Sequence, residues 1–81
     1  MNVMPNKRLF WFLKDNLPLD LSDPSTLEMY VQQVISKGTT QDVRHLLRNV
    51  EFKCFKQVFA NIRHFLPWEV RTFWEDFIAG Y

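Results

Sequence analysis

The stretch EFKCFKQVFANIRHFL, residues 51–66, decides the fold. Phe52, Phe55, Phe59, Ile62 and Leu66 recur at steps of three and four residues. At 100° per residue they share one side of an α-helix, and Cys54, Val58 and Phe65 widen that side to an arc of roughly 160°. Lys53, Lys56, Arg63 and His64 fall opposite. An aromatic face this broad needs several other elements to cover it, so residues 51–66 are expected to form a central helix.

Working outward on the C-terminal side, Pro67 ends this helix because the residue before proline is pushed out of the α region. The same proline opens a last helix, with Glu69 in its first turn. Val70, Phe73, Trp74, Phe77 and Ile78 form that helix's expected apolar face, Arg71 sits one turn from Glu75, and Gly80 is the expected stop.

On the N-terminal side, Val43, Leu46, Leu47 and Val50 mark the buried stripe of a helix over residues 40–49, with a bend expected near Asn49. Thr39 and Asp42 have the spacing of a capping box. A further helix opens at Asp23-Pro24, with Asp23 placed to accept from first-turn N–H groups and Glu28 near the positive end of the dipole. Leu27, Tyr30, Val31, Val34 and Ile35 face inward, and Gly38 is expected to end it in a left-handed cap. Residues 17–22, LPLDLS, read as an extended apolar strap. Lys7 to Lys14 fits either a short helix or a strand by periodicity; helix is favoured because no second convincing strand is available to pair with it, and Asp15-Asn16 ends it. Residues 1–6 are expected to fray, with Pro5 and Asn6 as the entry into that helix. The expected fold is therefore all-α: one compact domain, residues 1–81, of four to five short helices.

Composition agrees. Eighty-one residues bury only about 60–65% of their unfolded surface, but three tryptophans, two tyrosines and eight phenylalanines offset the small size. Net charge is +1, unevenly spread: residues 37–64 hold six cations against Asp42 and Glu51. The single cysteine, Cys54, cannot form an internal disulfide, and the start lacks the features of a signal peptide, so a cytoplasmic protein is expected. No run approaches the apolar length of a membrane span.

Chemistry is sparse. His45 and His64 lie nineteen residues apart, with one cysteine to join them, which falls short of the ligand set of a zinc site. Cys54 sits at the edge of the apolar arc, the place of a small packed residue. Glu75 and Asp76 diverge by 100°, and two glycines in total leave no phosphate-cradling loop. The expectation is a protein without catalytic residues, metal or cofactor.

Binding is the remaining class. Gln41, Arg44, His45 and Arg48 cluster on the outer side of the helix at 40–49, and Arg and Gln are the side chains that pair with guanine and adenine. The helix, Gly38 turn, helix arrangement has the outline of a helix-turn-helix. With Lys53, Lys56 and Arg63 these residues make a candidate nucleic-acid surface. A protein partner is the other reading: Phe10, Trp11 and Phe12 in succession cannot all face inward from one helix, and Trp11 and Trp68 are the candidate interface anchors, in a toxin complex or in self-association.

Three stretches, LFWFL at 9–13, YVQQVISKGTTQDVRHLLRNV at 30–50 and FLPWEVRTFWEDFIAG at 65–80, resemble a small bacterial all-helical family of unknown function. Members of that family are often encoded beside abortive-infection-type nucleotidyltransferase toxins. The resemblance implies an accessory or antitoxin-like role through contact with the toxin or with operator DNA, and it implies no catalytic residues. Phe12 and Leu13 stand where the family carries acidic residues, and Trp68 where it carries a more polar one.

Overall fold

The longest helix begins where the sequence places Asp23 and Pro24. In a computed structural model, which describes residues 2–4, 6–13 and 18–80, helix α1 runs Pro24–Lys37. Pro24 suits the first helical position because its missing N–H has no intrahelical partner to lose. Asp23 holds the extended backbone of an N-cap, but its carboxylate accepts from Thr26 Oγ1 at 2.7 Å rather than from a first-turn N–H. Leu27, Tyr30, Val31, Val34 and Ile35 are all buried, as their spacing predicts.

Gly38 ends α1 by a different route from the one expected. Its φ is −79° and its ψ 165°, extended backbone that any residue adopts, so no left-handed cap forms. Glycine is needed here for space. A Cβ would stand 2.5 Å from the carbonyl oxygen of Val34 and 2.9 Å from Cβ of Asp42. The absent side chain lets helix α2, Thr40–Asn49, start hard against the end of α1.

Helix α2 opens with the expected capping box. Asp42 N–H donates to Thr39 Oγ1 at 3.3 Å and Thr39 N–H to Asp42 Oδ2 at 2.7 Å. Leu46 and Val50 are buried, while Val43 and Leu47 are only partly covered. The bend near Asn49 is a full break: Val50 is extended, φ −125° and ψ 124°, and α3, Phe52–Ile62, starts afresh after Glu51.

Helix α3 is shorter than its apolar periodicity predicts. Because Pro67 forces Leu66 into extended backbone, φ −90° and ψ 149°, the chain tightens into a 3₁₀ turn, Arg63–Phe65. The tighter turn swings Phe65 away from the apolar arc, and it is 67% exposed. Leu66 stays buried. Phe55 is the centre of the core. It is fully buried, and its ring lies 6.1 Å from Phe52, 6.4 Å from Phe59 and 5.3 Å from Trp74. α1 packs along α3, and Asn61 Nδ2 reaches Glu28 Oε2 across that seam at 3.4 Å.

The N-terminal expectations need correction. Residues 2–3 do not fray: β1, Asn2–Val3, pairs antiparallel with β2, Leu19–Asp20, with Val3 opposite Leu19. Part of the expected strap is thus a strand, and Leu21 beside it is buried. Residues 6–13 form successive turns rather than a helix. Asn6 Oδ1 accepts from Arg8 N–H at 2.9 Å while Asn6 O accepts from both Leu9 and Phe10 N–H, and a side chain competing locally for the backbone in this way favours a turn. The turns bury Leu9 and Phe10 together. The Phe10 ring stacks on Tyr30 at 5.8 Å, and Gln33 Nε2 donates to Leu9 O at 2.8 Å. Leu17, Asp15-Asn16, Lys14 and Pro5, on which the strap, stop and entry readings partly rest, lie outside the described residues, as does Tyr81.

The last helix, α4, runs Trp68–Gly80 and contains Gly80 within it. Among its residues only Trp74 is buried, wedged against Phe55. The described residues thus make an all-α domain of four helices with one minimal two-stranded ladder at its edge. None of its helices is long and apolar enough to cross a membrane.

Candidate protein-interaction groove

The face of α4 that the periodicity assigns to the core is left largely open. Val70 and Ile78 are half-buried, Phe77 is 37% exposed and Phe73 61% exposed. Trp74 sits over Phe55 of α3; of its neighbours on the helix, Phe77 at −60° packs edge-on against Phe52 of α3 at 6.3 Å, and Phe73 at −100° turns toward α2. Both line a space shared with Val43 and Leu47, the two α2 residues that α1 leaves partly uncovered. The result is a groove of about 440 Å³ with Ile35, Gly38, Thr39 and Thr40 at one end and Glu69 on the α4 wall. Its lining is apolar apart from that rim. Sequence reading missed it, although a signal existed: Phe73 and Ile78 bound an apolar arc of about 140° on α4, wider than one docking partner covers when α1 already occupies much of α3.

The predicted nucleic-acid residues fall into three settings. Gln41, Arg44, His45 and Arg48 are all exposed on the outer side of α2. Asn49 Nδ2 donates to His45 O at 2.8 Å and lies 3.3 Å from the His45 ring nitrogen Nε2, so that imidazole is partly engaged. Lys53 and Lys56 are exposed on α3, beyond the break at Val50, and Lys56 Nζ lies 5.6 Å from the centre of the Phe52 ring. Arg63 is tied down. Its Nη2 is 2.7 Å from Glu75 Oε2, an ion pair joining the end of α3 to α4. Glu75 therefore pairs across the helices with Arg63 and not along its own helix with Arg71. Lys56 and Arg63 line one shallow cleft between α3 and α4.

Of the two candidate anchors, Trp11 is 78% exposed and Trp68 65% exposed. Trp11 meets Phe12 edge-on at 5.7 Å. Neither tryptophan lines the groove; Trp68 projects from the opposite side of α4 to Phe73, close in sequence to the exposed Phe65.

Asp42 has a structural role beyond its cap. Oδ2 accepts from Arg8 Nη2 at 2.8 Å, from Thr39 Oγ1 at 3.1 Å and from the Thr39 N–H, while Oδ1 lies 3.4 Å from Asn6 Nδ2. The Thr39 N–H above all, then the Arg8 guanidinium and the Thr39 hydroxyl, hold this carboxyl below its ordinary range. Tyr30 is shifted the other way, its phenol raised by burial and then by the Asp42 charge. Ser22, through its hydroxyl and backbone N–H, lowers Asp20 at the strand edge. Among the described residues no three His, Cys, Asp or Glu side chains gather as a metal-binding group. Cys54 is a half-buried free thiol at the edge of the core.

Comparison with known proteins identifies no relative. No family model, curated protein or solved structure matches this chain.

Proposed function

We propose that the chain is a non-enzymatic interaction module, antitoxin-like or accessory, acting in the cytoplasm on a protein partner such as a nucleotidyltransferase-like toxin. The observation that carries this reading is the uncovered apolar face of α4, Phe73 and Phe77 over Val43 and Leu47. A small domain gains nothing in its own fold by leaving Phe73 61% exposed and the outer edge of Phe77 open, whereas aromatic side chains in an apolar groove are the usual anchors of a protein interface. The resemblance of residues 9–13, 30–50 and 65–80 to the toxin-associated family supplies the class of partner.

The test is co-expression with the nucleotidyltransferase-like product of an adjacent reading frame, followed by purification in about 0.5 M salt, where surface charge is largely screened. Co-purification that is lost in the Phe73→Ser/Phe77→Ser double variant supports the reading. A partner that fails to co-purify, or that the double variant retains, overturns it.

A second reading has α2 contacting DNA, supported by the common exposure of Gln41, Arg44, His45 and Arg48. It requires retardation of the gene's upstream DNA that weakens by about 0.9 log units per tenfold salt for each phosphate engaged. No retardation at low salt removes it.

A further inference from the structure

The groove between α2 and α4 has two rims of opposite charge. Arg44 and Arg48 each follow a groove residue, Val43 and Leu47, by one position, which sets them 100° further round α2 on the rim. On α4, Glu69 lines the groove, and Glu69 and Asp76 stand 40° and 60° beyond Phe73 on the same side of the helix. None of these four is in an ion pair among the described residues. The walls run along α2 from Thr40 to Leu47 and along α4 from Glu69 to Phe77, about 10–12 Å of helix each. That length matches two turns of a third helix laid between them.

We infer that the groove takes an amphipathic α-helix of the partner, and that its charged rims fix the direction in which that helix lies. The occupant carries acidic residues on the flank facing Arg44 and Arg48, and basic residues on the flank facing Glu69 and Asp76. This rests on the interaction-module reading and specifies the chemistry of its partner. A second copy of the chain is a poor occupant. Two-fold antiparallel pairing of α4 with itself sets the same flank of both helices side by side, with Glu69 of one copy against Asp76 of the other, and like charges at an interface are selected against. A helix with acids on one flank and lysines on the other satisfies both rims in one direction only; turned end for end, it meets like charge on both sides.

The test uses the full chain and three helical peptides of about 16 residues, a length that overhangs both groove ends. All share one leucine stripe. One has glutamates on the left flank and lysines on the right, the second has these exchanged, and the third has lysines on both. Each carries a spin label at its N-terminus. Both mixed-flank peptides are expected to bind in opposite directions, the label of one broadening the amides of Gly38, Thr39 and Thr40 and that of the other those of Leu47 and Arg48. The all-lysine peptide is expected to bind about tenfold more weakly, from the loss of several exposed ion pairs. In the Arg44→Glu/Arg48→Glu variant both rims are acidic, and the all-lysine peptide becomes the tightest of the three. One shared direction for the two mixed peptides, equal affinity for all three, or no binding by any at about 1 mM overturns the inference. Failure of the underlying reading is told apart by co-purification. A partner lost with Phe73→Ser/Phe77→Ser but held undiminished by Arg44→Glu/Arg48→Glu leaves the interaction module standing and removes the charge-directed helix.

Discussion

Replacing Gly38 by alanine separates two accounts of how α1 ends. The backbone there, φ −79° and ψ 165°, suits alanine as well as glycine, so conformational strain predicts no loss. Fewer unfolded conformations would even stabilise the variant by about 0.4–1 kcal/mol. Against that stands the 2.5 Å approach to Val34 O and the 2.9 Å approach to Asp42 Cβ. Neither neighbour is the free end of a flexible side chain: one is a helix carbonyl that already accepts from the Gly38 N–H at 2.8 Å, the other the root of the capping-box residue. Opening that space by most of an ångström falls in the range of overpacking, about 1–3 kcal/mol. The net expectation is a loss of about 1–2 kcal/mol, and with a urea slope near 1 kcal/mol/M for a chain this short, a midpoint about 1–2 M lower. Gly38→Asn is the control. Asparagine tolerates a left-handed cap but carries the same Cβ, so it is expected to lose at least as much as alanine. Asparagine at near-wild-type stability beside a damaged alanine variant would mean a left-handed Gly38. A neutral or stabilised alanine variant would mean that the approach of α1 to α2 is looser than described.

Three further outcomes follow from the packing. Phe55→Ala and Phe59→Ala each remove a buried ring at a cost of about 3–5 kcal/mol, comparable with the whole stability of a small domain, so far-UV circular dichroism at 25 °C should show substantial loss of helix in either. Asp42→Asn should cost about 1–2 kcal/mol near neutral pH. Because the folded carboxyl titrates below its ordinary value, its contribution is present above about pH 4 and fades as pH falls through the lowered value; the gap between wild type and variant in urea titrations should close with acidification, and a constant gap down to pH 2 would contradict it. The neighbours Phe73 and Trp74 should behave oppositely in the same assay: Phe73→Ser within about 0.5 kcal/mol of wild type, Trp74→Ala lower by about 3–5 kcal/mol.

Much of this architecture is legible in residue spacing. Five inward positions of α1, the Thr39–Asp42 box and the Pro67 boundary follow from periodicity and local chemistry alone. The departures share a cause: local pattern fixes which side of an element is apolar and leaves open what covers it. Phe65 belongs to the apolar arc until Leu66, held extended by Pro67, tightens the turn before it. Phe73 belongs to the face of α4 until Trp74 takes the space on α3. Leu9 and Phe10 are adjacent and both buried because Asn6 draws the chain into a turn, and a pairing as short as Val3 with Leu19 leaves too few residues to register as alternation. For the candidate site, the exposure of the α2 cations follows from helical geometry and that of Trp11 from turns that bury Leu9 and Phe10 instead, but the groove needs two helices placed side by side, and Arg63 is engaged only because Glu75 comes to it from another element.

The single buried residue of α4 also sets how the domain fluctuates. Helices α1 and α3 share a continuous seam, whereas α4 is held by the Trp74 ring, the flanking Val70 and Ile78, the edge-on contact of Phe77 with Phe52 and the Arg63–Glu75 ion pair. Cooperative units with the least buried apolar surface open first, without global unfolding. α4 is one such unit, as is α2 with Leu46 its one buried residue, and opening of either also parts one wall of the groove. A bound helix spanning Val43, Leu47 and Phe73 would hold both walls in place, so the amides of α2 and α4 should exchange more slowly in its complex than in the free domain.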